Sequence, residues 1–153
     1  MTTTLSTRPP SATQGATARR GAIWKAGATA AVLGAVAAEA VGGIARAVGV
    51  PMEAGGFGAT HADSIGVGSF ATATILNLVI GTLMAAALVR WARRPERTFV
   101  RTAVVLSALS LVPVVLAPYT AGSTKVTLAI THLVVAAIAI PVLARATRVR
   151  SRG

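Results

Sequence analysis

Residues 126–144 read VTLAITHLVVAAIAIPVLA, a stretch without a single Asp, Glu, Lys or Arg. A helix of this length covers about 28 Å, which matches the roughly 30 Å hydrocarbon core of a bilayer. Three further stretches, at 26–45, 70–89 and 102–119, are similarly apolar and long. Lipid offers no partner to bare backbone amides, and barrel strands would alternate apolar and polar residues, which these stretches do not. The sequence therefore predicts an all-α membrane protein, a bundle of four transmembrane helices.

The composition of the 153-residue chain excludes a soluble globular enzyme. Hydrophobic residues make up 54% and charged residues only 12%, whereas soluble domains carry roughly 25% charged residues. A soluble domain of this size cannot bury so much apolar surface. Cysteine is absent, which removes disulfides, thiol nucleophiles and thiolate metal sites. We expect no cofactor and no metal, and we assign no catalytic residue.

The placement of the basic residues explains the net charge of +11. Of the 15 Lys and Arg residues, 13 precede the first stretch, follow the fourth, or lie between the second and third; the exceptions are Arg46 and Lys125. Short loops rich in Lys and Arg stay in the cytoplasm. We therefore expect both termini to be cytoplasmic and the protein to be a multi-pass protein of the plasma membrane.

The same placement predicts the partners. Basic groups at membrane boundaries favour anionic lipid headgroups at the cytoplasmic face. Nucleic-acid binding would favour aromatic side chains among the basic groups, and aromatic residues make up only 4% of the chain. We expect membrane lipids and a second copy of the chain as candidate partners, and no nucleic acid.

The transmembrane domain is predicted to cover residues 23–146. The Thr-, Ala- and Pro-containing tail at 1–22 is expected to be disordered, and a short basic tail occupies 147–153. Within the first stretch, Ala-Glu-Ala at 38–40 resembles a signal-peptide cleavage site. The apolar run continues to Ala45 and reaches spanning length, which favours a retained helix.

The loop at 49–69 contains six glycines and is expected to form a flexible strap or a short re-entrant turn. His61 and Asp63 in this loop are candidate site residues. Two ligands fall short of a metal site, so a solvated polar loop is the favoured interpretation. Pro113 and Pro141 fall inside predicted spans, where proline predicts a kink.

Three polar side chains lie inside the apolar stretches: Glu39, Asn77 and His132. Counting 1.5 Å per residue from the centre of each stretch places all three about 4–5 Å toward the outer surface. They are predicted to share one layer, with Ser110 and Thr131 close to it. An ionised carboxylate near the middle of a bilayer costs about 2.5–3.5 kcal/mol, which favours the bundle interior. We interpret the layer as a proton- or ligand-binding pocket, although Asn77 alone is more typical of hydrogen bonding between helices.

Small residues at fourfold spacing allow the first helix to approach its neighbours closely. Two such ridges run along it: Ala26, Ala30, Gly34, Ala38 and Gly42, and beside them Gly27, Ala31, Ala35, Glu39 and Gly43. The second ridge places Glu39 on a packed face. Arg46 lies on that face about 10 Å further out. We expect it to reach the outer headgroups rather than to pair with Glu39.

Two resemblances follow from these residues. The run THLVVAAIAIP at 131–141, the Arg-rich connection at 90–101 and the Gly-rich loop before the second stretch together resemble small four-span bacterial membrane proteins grouped as a domain of unknown function. This resemblance covers nearly the whole chain after the tail. It implies a multi-pass inner-membrane protein of unknown specific role, and it carries no activity, substrate or cofactor.

The run AEAVG at 38–42 is similar to the acidic first-helix motif of small multidrug-resistance transporters. This likeness implies a small proton-coupled transporter of a hydrophobic or cationic solute with Glu39 as the carrier. The sequence departs from that family in its long tail, its long Gly-rich loop and its one-sided charge. A third alternative is a membrane-embedded enzyme acting on a lipid or isoprenoid, with Glu39, Asp63 or His132 as acid or base.

Overall fold

The computed structural model describes residues 12–56 and 58–148, with side chains from residue 20 onward. Within this part of the chain the helices are α1 (Ala12–Ala47), α2 (Ser69–Trp91), α3 (Pro95–Leu109), α4 (Leu111–Leu116) and α5 (Gly122–Thr147). Two short strands, β1 (Glu53–Ala54) and β2 (Asp63–Ser64), pair antiparallel between α1 and α2. Because α3 and α4 together form one span, the described residues contain four helical segments long and apolar enough to cross a membrane. The predicted all-α, four-span architecture is confirmed.

The third span starts and ends earlier than the predicted 102–119. Pro95 suits the first position of a helix because that position needs no N–H, and α3 begins there. Pro113 lacks an N–H and crowds the carbonyl of Leu109, and the span is interrupted between α3 and α4 at Ser110. The kink predicted at Pro113 is therefore a break between two helices, whereas α5 continues through Pro141.

The bundle is organised around α1, which makes its most extensive contacts with α5 and α2. We call the end of the bundle that carries the connection at 90–101, with its five arginines, the arginine-rich end. Toward this end, Ile23, Phe99 and Leu143 are fully buried and belong to one apolar cluster. Large apolar side chains on the outside of the bundle remain exposed; Val36, for example, is 66% exposed. Such a surface is suited to lipid rather than to water. The chain is a multi-pass membrane protein.

Small residues of α1 set how α1 and α2 are aligned. The ridge Ala26, Ala30, Gly34, Ala38 and Gly42 is the more deeply packed of the two that the sequence shows. A Cβ atom at Gly42 would lie 2.8 Å from Phe70 Cδ2, and one at Gly27 would overlap the side chain of Thr82. These close approaches fix which residues of α2 face each turn of α1.

The tail at 1–22 was expected to be disordered, and this is wrong for residues 12–22. The helix α1 begins at Ala12 and runs without interruption into the span. Alanine, glutamine and arginine in this segment favour helix, and they extend a helix that is already held by the buried Ile23. The remaining tail residues, 1–11 and 149–153, lie outside the described residues.

The loop at 49–69 forms a small β-hairpin rather than the flexible strap or short re-entrant turn expected. Its strands are only two residues long, with Glu53 paired to Ser64. The Gly55 N–H donates to Pro118 O at 3.2 Å and to Thr120 Oγ1 at 3.1 Å. A side chain at Gly55 would overlap the Pro118 carbonyl, so glycine permits this close approach. The hairpin is thereby attached to the turn between α4 and α5.

Candidate functional site

A cavity of about 450 Å³ lies between α2, α3 and α5. Most of its lining is aliphatic, with Leu78, Leu106 and Val135 among the contributors. The polar lining residues are Ser69, Thr74, Asn77, Ser107, Ser110, Thr131 and His132. A mostly apolar cavity with a few polar groups is the usual form of a small-molecule site.

His132 enters this cavity from the middle of α5, where it is half-buried. Its Nδ1 lies 2.8 Å from the backbone oxygen of Leu128, one turn earlier. A carbonyl oxygen can only accept a hydrogen bond, so Nδ1 carries the proton. In the neutral ring, Nε2 is then the hydrogen-bond acceptor.

Asn77 lines the same cavity from α2. Its Nδ2 donates to Ala73 O at 2.9 Å, and the side chain is exposed. The amide therefore bonds to its own helix rather than to a neighbouring one. This N–H therefore does not form the hydrogen bond to a neighbouring helix that is expected of a lone asparagine in a membrane span.

Glu39 is not among the residues that line the cavity. Its Oε1 accepts the Gly68 N–H at 2.9 Å, and its Oε2 accepts the Ala71 N–H at 3.2 Å. The first N–H groups of a helix have no partner within the helix and carry partial positive charge. Gly68 is the N-cap of α2 and offers no side-chain cap. Glu39 supplies from α1 the capping carboxylate that α2 lacks.

Arg46 pairs with Glu39, contrary to the expectation that it would reach the headgroups. The Nη1 of Arg46 lies 3.4 Å from Glu39 Oε1. Its Nη2 donates to Ile65 O at 3.0 Å and to Gly66 O at 2.8 Å, and its guanidinium lies 5.7 Å from the centre of the Phe70 ring. The returning end of the hairpin passes close to α1, so these carbonyls replace the solvent that a snorkelling arginine would seek.

The alignment of α1 and α2 explains why the predicted three-residue layer is divided. Because Gly42 meets Phe70, Glu39 lies beside Ala71 rather than beside Asn77. Asn77 is six residues beyond Ala71, about 9 Å further along α2. The structure brings Asn77 and His132 to one cavity, with Ser110 and Thr131 beside them, and places Glu39 near the hairpin.

The loop candidates His61 and Asp63 lie together at the surface. His61 Nε2 is 3.3 Å from Asp63 Oδ1, and both side chains are largely exposed. Over residues 12–56 and 58–148 no group of three His, Cys, Asp or Glu side chains is arranged to hold a metal ion. The pair is typical of a solvated loop, and its proposed site role stays a prediction.

Sequence reasoning missed several contributors to this region, among them Phe70 and Ser107. Both line the cavity, and Phe70 also contacts Arg46. Phenylalanine at the start of an apolar helix carries no signal of its own. Ser107 lies six residues before Pro113, nearly two helical turns, and its backbone oxygen accepts the Ser110 hydroxyl at the helix break; the residue type and spacing alone do not mark it as a lining residue.

Comparison with known proteins gives a family and no activity. Residues 18–149 match a family of unknown function, DUF6069. No curated protein and no solved structure matches the chain. The matched range contains all four spans, the hairpin and every residue that lines the cavity. The resemblance to a four-span family without a known role is confirmed, and the chain belongs to the family of unknown function DUF6069.

Proposed function

We propose that this multi-pass membrane protein binds a small lipid-soluble molecule in the cavity between α2, α3 and α5. The observation that carries the proposal is the cavity itself, with its aliphatic walls and with Asn77 and His132 on two different helices. Its volume of about 450 Å³ falls in the usual range of ligand sites, roughly 300–1,000 Å³. Polar side chains that face hydrocarbon are costly, so an occupant that can bond to them is favoured over an acyl chain.

The lining supports binding rather than catalysis. Of the described residues that line the cavity, His132 is the one whose side chain suits a general acid or base. A membrane-embedded enzyme acting on a lipid would gain from a second acid or base beside it. Asp63 and Glu39, the other acids considered for that role, are not lining residues.

The contacts of Glu39 support a structural role rather than that of a proton carrier. Its carboxylate receives two backbone N–H groups and the Arg46 guanidinium. A carrier has to exchange its proton with both sides of the membrane. A carboxylate that holds two chain segments together is poorly placed for this exchange, because each protonation would release those segments.

For the orientation, we propose that the arginine-rich end faces the cytoplasm and the hairpin faces outward, in the plasma membrane. The charge distribution supports this, since 13 of 15 basic residues belong to the arginine-rich end and the tails attached to it. Arg90, Arg93 and Arg94 are exposed there and are suited to anionic headgroups.

The binding proposal is tested by photolabelling the full-length protein in liposomes. The probe is a decyl alcohol that carries a diazirine and an alkyne tag, and mass spectrometry locates the adducts. We expect adducts on residues that line the cavity. In Ala136→Trp, an indole replaces a methyl group of the lining, and most of this labelling should disappear.

Val36→Trp is the matched control, because it adds the same side chain on the exposed face of α1. It should leave cavity labelling unchanged. A second filling variant, Ala103→Phe on α3, is measured beside the first, and thermal unfolding verifies that each variant is folded. Adducts spread evenly over exposed positions and insensitive to both filling variants would contradict the proposal.

A further inference from the structure

We infer that the occupant of this cavity is a neutral, mostly apolar molecule whose polar head is a hydroxyl group, as in a lipid alcohol or a phenol. The inference rests on the proposed binding function and adds the chemical class of the ligand. The inference follows from two properties of the lining. Several of its side-chain donors are already hydrogen-bonded to the backbone, and its described residues include no Asp, Glu, Lys or Arg.

Four of the seven polar side chains of the lining, those of Asn77, Ser110, Thr131 and His132, direct a donor to a backbone oxygen of the preceding turn. The Ser110 hydroxyl donates to Ser107 O at 2.7 Å, and the Thr131 hydroxyl donates to Thr127 O at 2.9 Å. A hydroxyl oxygen that has donated its proton still has lone pairs to offer. These two side chains therefore present acceptors to the cavity.

His132 and Asn77 also donate to backbone oxygens of their own helices. Nδ1 of His132 donates to Leu128 O, which leaves Nε2 of the neutral ring as an acceptor. One N–H of Asn77 donates to Ala73 O, which leaves its side-chain carbonyl and a second N–H. A ligand hydroxyl suits this set because it can donate to an acceptor such as Nε2 and accept from the remaining N–H.

The charge of the lining disfavours ionic heads. None of the described residues that line the cavity is an Asp, Glu, Lys or Arg. A phosphate or carboxylate would meet no Lys or Arg there, and an ammonium group would meet no Asp or Glu. Removing an unpaired charge from water is far more costly than removing a hydroxyl group that finds a partner. A neutral donor is the polar head that these walls accommodate.

The test compares three photoprobes with the same decyl diazirine chain: the alcohol, its methyl ether and the corresponding carboxylate. In liposomes of the wild-type protein, the alcohol should label the cavity about fivefold more than the ether, which is the effect expected of one hydrogen bond. His132→Phe and Asn77→Leu should each reduce this preference, while the ether continues to label the cavity. His61→Phe, on the exposed hairpin, is the matched control and should retain the preference.

The outcomes separate the two proposals. Equal labelling of the cavity by alcohol and ether would overturn the hydroxyl inference and leave binding itself supported. Stronger labelling by the carboxylate would overturn the inference that the ligand is neutral. Absence of cavity adducts with every probe would instead refute the binding function on which the inference rests. Thermal unfolding identifies any variant that fails to fold. If either His132→Phe or Asn77→Leu does not fold, the other variant decides whether the preference for the alcohol depends on the polar lining.

Discussion

Glu39 and Arg46 lie two helical turns apart on α1 and form an ion pair, with Oε1 and Nη1 3.4 Å from each other. Each member also binds a separate segment of the chain. Glu39 accepts from the first turn of α2, and Arg46 donates to the end of the hairpin. The pair therefore connects three elements through side chains that are only about a quarter exposed, at 25% for Arg46 and 27% for Glu39.

Replacing Glu39 by alanine should lower stability by about 2 kcal/mol, because hydrogen bonds to a charged group are lost and two N–H groups lose their acceptor. Glu39→Gln should have a smaller effect, since the amide oxygen can still accept one of these bonds. The measurement is thermal unfolding of the purified protein in detergent, followed by circular dichroism.

Glu53→Gln is the control for this comparison. Glu53 is an exposed acid on the hairpin, so its neutralisation should leave Tm nearly unchanged. Equal Tm values for wild type and Glu39→Ala would show that the capping contact contributes nothing to stability.

Neighbouring glycines of α1 provide a sharp test of how α1 and α2 are aligned. A Cβ at Gly42 would lie 2.8 Å from Phe70 Cδ2, whereas a Cβ at Gly43 would meet no atom within 4 Å. We expect Gly42→Ala to destabilise the protein by about 1–3 kcal/mol through overpacking. Gly43→Ala should be neutral or slightly stabilising, because alanine favours helix. Similar unfolding curves for the two variants would mean that Phe70 does not pack against α1 as described.

The ion pair between Arg148 and Glu96 should matter much less than the pair on α1. Arg148 Nε lies 2.7 Å from Glu96 Oε1, but the side chains are 63% and 36% exposed. Exposed pairs contribute at most about 1 kcal/mol and are screened by salt. Glu96→Gln should therefore lower Tm only slightly at low ionic strength and not measurably at high ionic strength. A decrease in Tm as large as that caused by Glu39→Ala would contradict the inference that burial makes the pair on α1 the stronger one.

The proposed orientation can be measured because the chain contains no cysteine. Thr60→Cys introduces a thiol in the exposed hairpin, and Arg93→Cys introduces one in the exposed connection between α2 and α3. In intact bacterial cells that express the protein, a membrane-impermeant maleimide should label Thr60→Cys at once. It should label Arg93→Cys only after permeabilisation. The reverse pattern would place the arginine-rich end outside.

The spans could be predicted from the sequence because hydropathy and length decide them. The stretch predicted at 126–144 lies within α5 (Gly122–Thr147), and the one predicted at 70–89 lies within α2 (Ser69–Trp91). The predicted ends of spans that lie near prolines were less accurate. The third span ends at Leu116 rather than at residue 119, since Ala117 precedes Pro118 and a residue before proline is driven away from the helical conformation.

The site could be predicted only in part, because depth along one helix does not fix alignment between two. Asn77 and His132 both line the cavity between α2, α3 and α5, and their role as a binding site stays a prediction. Glu39 was misplaced by about six residues relative to α2, since its position depends on how Gly27 and Gly42 receive Thr82 and Phe70. Such a fit is a property of side-chain shapes. The one available signal was Gly68, the residue before α2, which has no side chain to cap the helix.

The hairpin is held to the helices largely through its main chain. Arg46 binds two of its carbonyl oxygens, and the Gly55 N–H binds Pro118 O. Every residue type offers the same carbonyl, so evolution can exchange the exposed hairpin side chains without loosening this attachment. Relatives should therefore diverge most on this surface while they retain an arginine at position 46 and a glycine at position 55. Such a surface can acquire new recognition properties while the bundle beneath it stays the same.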